Sequence, residues 1–165
     1  AGLAKPAPMT VYIYPLGPDA LRARDIPAPW TFGVADRVRF YELDALNHVN
    51  NTAYLRWFET TRVRWLADYG ISDYTAADPT LVLRGVTCDY HAPLFLNEDY
   101  VVTARCLSFR RTSFRKAYGV WSGGVLKAEG TAVIVMTDAA GTTKIPLSDR
   151  IRETLASRDA AVDEA

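Results

Sequence analysis

One short segment holds the residue types that acyl transfer needs: Asp44-Ala-Leu-Asn-His48-Val-Asn50-Asn51-Thr-Ala-Tyr54. Asp44 is a carboxylate that can take a proton from water or attack a carbonyl itself. The paired Asn50 and Asn51 precede a run with helical spacing. Asparagine is a favoured helix N-cap, because its side chain accepts from the free amides of the first turn. A helix start offers unpaired N–H groups and about half a positive charge. A carbonyl oxygen that turns negative in a transition state is stabilised there, and losing one such donor costs ~2.7–4 kcal/mol. Asp44, seven residues before Asn51, can turn back toward the same point. The same residue types also describe an Asx-turn and a helix cap with no chemistry. Spacing alone favours that plainer reading, so the residues by themselves yield only a candidate acyl-transfer site.

His48 has no evident carboxylate partner along the sequence, so a hydrogen-bonding role in the turn outranks a general-base role. No second His or Cys stands at ligand spacing, and no metal is expected. A second constellation is Arg-Cys-Leu-Ser-Phe-Arg-Arg-Thr-Ser-Phe-Arg-Lys, residues 105–116, with five basic residues and no acid. Arg110 and Arg111 fall in a short turn, where guanidinium forks and free amides suit a phosphate. A solvated basic loop is the ordinary alternative.

The elements that position these groups are legible in the spacing. Val34, Asp36, Val38 and Phe40 alternate with Ala35, Arg37, Arg39 and Tyr41, which predicts a strand. Thr52–Tyr69 has helical spacing, with Tyr54, Phe58, Trp65 and Tyr69 near one stripe beside Leu55, Leu66 and Arg62; Gly70 stops it. Strand-like runs follow at 81–91, 100–109, 113–121 and 125–137, and Gly123-Gly124 makes the last gap a tight hairpin. Residues 147–161 read as a modest helix after Pro146. Residues 1–33 carry six of the nine prolines and read as an irregular arm with at most a short edge strand at Val11–Tyr14. One strand, one long helix and four further strands predict an α+β domain over 34–165, its mainly antiparallel sheet covered by the helix. Trp57, Phe58, Val63, Trp65 and Leu66 give that helix more apolar surface than one stripe needs, so the sheet is expected to wrap it.

Composition bounds the function. Nineteen Lys+Arg balance nineteen Asp+Glu over 165 residues, which argues against a nucleic-acid binder and a polybasic membrane anchor. The longest strongly apolar run, Ala132–Met136, is far below the ~20 residues of a membrane helix. Cys88 and Cys106 are too few for a disulfide framework, and a cytoplasmic setting with free thiols is expected.

The stretch RVRFYELDALNHVNNTAYLRWFETTRVRWL resembles the signature of hotdog-fold acyl-CoA thioesterases of the 4-hydroxybenzoyl-CoA thioesterase type. Asp, His, Asn, Asn, Tyr and Glu all fall in register between Arg39 and Glu59. The resemblance implies a curved antiparallel sheet of about five to six strands around one long central helix. It also implies an active site at a subunit interface of a homodimer or homotetramer. Neither metal nor prosthetic group is implied, coenzyme A being part of the substrate. By the same resemblance Asp44 is the catalytic carboxylate, and the backbone N–H of Asn51 polarises the thioester carbonyl. His48 and Asn50 shape the turn and line the pocket; Tyr54 and Glu59 are structural first, with Tyr54 also a substrate-binding candidate. Arg110, Arg111 and Ser113, with Lys116 and Lys144 behind them, become candidates for the nucleotide of coenzyme A. Two departures stand out: Asn47 replaces the family's glycine, and Glu42 replaces its earlier aspartate. Asn is the next-best residue for a left-handed backbone, so the turn is expected to survive. The thioester carrier is either coenzyme A or an acyl carrier protein. Two other functions fit such a fold. One is a hydratase or dehydratase pairing His48 with Glu59, and the other is a non-catalytic acyl-CoA-binding module.

Overall fold

A computed structural model describes residues 12–165. Its organising element is α2 (Asn51–Asp68), begun by Asn50, whose Oδ1 accepts from the Thr52 amide at 2.9 Å. The helix ends at Tyr69, followed by Gly70 at φ +63°, a conformation that costs glycine nothing. Ala53, Tyr54, Trp57, Phe58, Thr61, Arg62, Trp65 and Leu66 are buried in a repeating pair pattern that marks the face against the sheet. Leu55 and Val63 fall off that face and are exposed, so the wrapping is less complete than their apolar character suggests.

The sheet has seven strands: β1 (Pro15–Leu16), β2 (Gly33–Arg37), β3 (Thr80–Tyr90), β4 (Asp99–Phe109), β5 (Ser113–Ser122), β6 (Val125–Thr137) and β7 (Val162–Asp163). Their order is β1-β2-β4-β5-β6-β3, all antiparallel, with β7 added in parallel to the far end of β4. This is the expected α+β architecture of a curved antiparallel sheet around one long helix, the hotdog fold. Two helices flank it, α1 (Pro18–Arg22) and α3 (Asp149–Asp159). The main core lies between α2 and the concave face, where Phe58 stacks on Tyr118 at 4.5 Å. Gly130 permits that approach: a Cβ there would sit 2.2 Å from the Thr87 carbonyl oxygen and 2.7 Å from the Phe58 ring.

Three local expectations need correction. The strand from Val34 stops at Arg37, not Tyr41. Arg39 forks onto both carboxylate oxygens of Asp36, at 2.9 Å each, and its amide donates to Glu42 Oε2 at 2.8 Å. Those bonds turn the chain into a 3₁₀ turn at Phe40–Glu42. The arm is not wholly irregular. It holds β1 and α1, and Pro18 suits the first turn of a helix, where no amide partner is lost. Leu21 and Ile26 from this arm bury a second, smaller core against Ala35, Val101 and Trp121 on the convex face. Of the edge strand expected at Val11–Tyr14, Val11 lies outside the described residues; strand pairing is seen instead at Pro15–Leu16.

Candidate active site

The segment between the 3₁₀ turn and α2 is a tight hairpin. Leu43 bridges Val49, the Asp44 amide donates to the His48 carbonyl at 2.8 Å, and the Asn47 amide donates to the Asp44 carbonyl at 3.1 Å. Asn47 has φ +59°, so asparagine adopts the left-handed backbone that its position demands. The Asp44 side chain closes an Asx-turn: Oδ1 accepts from the Leu46 amide at 2.8 Å and the His48 amide at 3.2 Å. Oδ2 has no hydrogen-bond partner among the described residues, and no ion pair holds the carboxylate. The turn is therefore present, and it leaves one carboxylate oxygen free.

Glu42 anchors this hairpin to the helix. Its Oε1 accepts from Trp57 Nε1 at 2.8 Å, and its carbonyl accepts from the Asn50 amide at 2.7 Å. At the helix start, Asn50 consumes two of the first amides. Its side chain takes Thr52 N–H and its carbonyl takes Ala53 N–H at 2.9 Å. The Asn51 N–H has no acceptor among the described residues, which leaves it as the donor offered to a ligand.

Asp44 and Asn51 line one cleft of about 430 Å³ with His48, Val49, Tyr54, Tyr90, His91, Ala92 and Pro93. Tyr90 Oη donates to the Asn51 carbonyl at 2.8 Å and fastens the end of β3 to the helix start. Tyr54 packs edge-on to Tyr90 at 5.0 Å. Burial raises both phenols to about 12, so they remain neutral walls at physiological pH. His48 stands edge-on to Phe95 at 5.3 Å. His91 pairs loosely with Glu129 at 3.6 Å. Tyr90 and His91 had no signal in the sequence beyond Pro93 closing a strand; only the register of β3 on β6 brings them here. Asn50 does not line this cleft; it borders a separate one of about 470 Å³ on the other flank of the hairpin, beside Leu43 and Trp57. Glu59 is exposed, lies 3.6 Å from Arg62 and does not border the Asp44 cleft, so no His48–Glu59 pair forms. Among the described residues no three His, Cys, Asp or Glu side chains are grouped to hold a metal ion.

The basic segment divides. Arg110 and Ser113 line a cleft of about 270 Å³ with Arg84, Arg115, Ser108 and Glu164. Arg111 is exposed beside it and holds the C-terminal segment through its carbonyl, which accepts from the Leu147 amide at 2.8 Å. Lys116 is a correction: it is fully buried, with Nζ 3.0 Å from the centre of the Trp65 ring, and cannot meet a surface nucleotide. Alternation along β5 explains this, because Phe114, Lys116 and Tyr118 share the inward face while Arg115 points out. Arg115 lies within the basic run itself, whereas Arg84 had no signal there, because β3 is remote in sequence and reaches this cleft only across β6. Lys144 sits in the loop whose bridge to Thr137 closes the end of β6.

A profile of the thioesterase-like superfamily matches residues 38–155. The chain belongs to that superfamily. A crystal structure of a thioesterase-superfamily protein from Jannaschia sp. CCS1 is 44% identical, with a TM-score of 0.88 over 93% of this chain and 98% of that one. A thioesterase from Thermus thermophilus, solved with coenzyme A and Zn, is 29% identical, with a TM-score of 0.68 over 78% of this chain and 94% of its own. A 1,4-dihydroxy-2-naphthoyl-CoA thioesterase from Synechocystis, 17% identical with a TM-score of 0.67, covers 76% of this chain and 95% of that one, and shares the fold. Among the described residues of this superfamily member, no helix is long and apolar enough to cross a membrane.

Proposed function

We propose that this thioesterase-superfamily chain hydrolyses acyl-CoA thioesters to a free acid and coenzyme A, in the manner of the 4-hydroxybenzoyl-CoA type. The observation that carries this reading is that Asp44 and Asn51, whose N–H is unclaimed among the described residues, line one cleft. The thioester carbonyl oxygen accepts from Asn51 N–H, where the helix dipole adds a partial positive charge. Asp44 Oδ2 takes a proton from water as the water oxygen bonds to the carbonyl carbon. The tetrahedral intermediate then expels the coenzyme A thiolate. In the alternative path Asp44 itself attacks the carbonyl carbon, the C–S bond breaks to release the coenzyme A thiolate, and water opens the resulting anhydride to the free acid and Asp44. Under single turnover in ¹⁸O water, label found in Asp44 identifies the anhydride path with water entering at the Asp44 carboxyl carbon. Tyr54 and His48 line the same cleft, and Asn50 sets the helix start by capping it.

Arg110 and Ser113 are assigned to the nucleotide phosphates, with Arg111 beside them. Within one chain they lie far from Asp44: from Arg84 to Tyr90 along β3 is six residues, or about 20 Å. A second copy closes that gap. The outer edge of β3 has no strand partner among the described residues, and Val82, Leu83, Val86 and Tyr90 are exposed there. A two-fold axis beside Thr87 would set Arg84 of one copy opposite Tyr90 of the other. The assembly is then a dimer, alone or doubled into a tetramer. An acyl carrier protein would present the same thioester without the nucleotide.

The test is thiol release across short, long and aromatic acyl-CoAs, with the mass in solution measured alongside. Release of free coenzyme A with saturation kinetics supports the reading. Hydration of an enoyl-CoA with the thioester intact, or binding without turnover, rejects it.

A further inference from the structure

The cleft at the β4–β5 hairpin already contains an anion, supplied by the chain's own C-terminal segment. Ser108 and Arg115 are cross-strand partners, and Arg115 pairs in turn with Val133. Arg84 occupies the bulge in β3 on the far side of Val133. Arg110, at the end of the hairpin, completes a set of three guanidinium groups around one depression of about 270 Å³. Neither Arg84 nor Arg115 has a carboxylate within ion-pair distance among the described residues. The one acidic group in the depression is Glu164. β7 holds it there: Val162–Asp163 pairs with Ser108–Phe109, and the Glu164 amide donates to the Phe109 carbonyl at 2.9 Å. Arg152 fixes Asp163 at 2.7 Å. Glu164 Oε2 then accepts from Arg110 Nε at 3.1 Å. The Ser108 hydroxyl, followed by Arg110 and Arg115, holds the Glu164 carboxyl below the usual carboxylate range.

The chemistry of the depression is mismatched to this occupant. One carboxylate carries a single negative charge and bonds one of three arginines. A phosphate monoester carries close to two charges and three acceptor oxygens, which matches forked guanidinium donors and a serine hydroxyl. We propose that Glu164 is a displaceable self-ligand, and that the depression of Arg84, Arg110, Arg115, Ser108 and Ser113 takes a phosphate monoester in its place. The C-terminal segment thereby competes with the phosphate. The inference rests on the acyl-CoA reading only for the origin of the phosphate, which that reading assigns to the nucleotide of coenzyme A.

The test is calorimetric binding of adenosine 3′,5′-bisphosphate and, separately, inorganic phosphate to the full chain. Glu164→Gln removes the competing charge and keeps the shape of an exposed side chain. It should tighten the bisphosphate by about threefold, the range of one exposed ion pair. Arg115→Ala and Arg84→Ala should each weaken it about fivefold, and more at low salt. Bisphosphate binding well above inorganic phosphate identifies a nucleotide phosphate; equal binding identifies free phosphate, and either supports the site. Unchanged or weaker bisphosphate binding by Glu164→Gln overturns the self-ligand. No binding of either probe overturns the site. If Glu164→Gln tightens the bisphosphate while no thioester is hydrolysed, the displaceable carboxylate stands and the thioesterase reading fails.

Discussion

Replacing Asn51 by proline removes one hydrogen-bond donor and almost nothing else. Asn51 is the first residue of α2, where proline fits because the missing amide bonds nothing in the helix. The preceding residue, Asn50, has φ −61° and ψ 138°, the extended backbone that proline requires of its neighbour. The Asn50 cap on Thr52 and the Tyr90 bond to the Asn51 carbonyl both involve atoms that proline retains. The substitution therefore isolates the proposed oxyanion donor. Loss of one such donor typically costs ~2.7–4 kcal/mol, about 100- to 1,000-fold in kcat. Asn51→Ala is the control, because it removes the side chain and keeps the N–H. Thiol-release kinetics on both variants, with urea unfolding to show intact folding, should give a large kcat loss for Asn51→Pro and a small one for Asn51→Ala. Equal activity of the two variants, with both folded, would refute the assignment of the oxyanion to the helix start.

The other predictions concern the frame around the site. Lys116→Met should stabilise the protein at pH 7, because burial disfavours the ammonium form and methionine has no charge to desolvate. Burial lowers the pKa of Lys116, so the unfolded chain binds the proton more readily and wild-type stability rises with pH. The gap to Lys116→Met should close as pH approaches 10.5, and a gap that widens with pH in urea titrations would oppose this reading. Asn47→Gly should keep activity and stability, whereas Asn47→Val should lose about 1–2 kcal/mol at φ +59°. Gly130→Ala should cost several kcal/mol in chemical denaturation, since backbone stands 2.2 Å from the added carbon; a variant of unchanged stability contradicts the close packing of Phe58.

Much of the frame was legible because it obeys local rules. Helix α2 announces itself through paired apolar positions, an asparagine cap and Gly70, and the three-strand meander through its short turns. α1 was missed because proline density reads as breakage, although proline is at home in a first helical turn. The end of β2 was missed because alternation continues past Arg37, while the Arg39 bonds to Asp36 and Glu42 bend the chain. Lys116 was misassigned because a basic run reads as surface; strand parity, not charge, decided its side. Arg84 and Tyr90 of β3, and His91 just past its end, depend on long-range register that no local pattern encodes. Within Asp44–Tyr54 the residue types were readable, but the free Asn51 N–H required knowing which amides Asn50 consumes.

The most direct test of the central claim is the steady-state kinetics of Asp44→Asn on the best acyl-CoA. Asparagine keeps the Asx-turn acceptor for Leu46 and His48 and loses only the basic, charged oxygen. The account predicts a kcat lower by about 100-fold or more, the ordinary share of a general base, with affinity for free coenzyme A unchanged. A variant that keeps kcat within a few-fold of wild type would show that the carboxylate in this cleft does not carry the reaction.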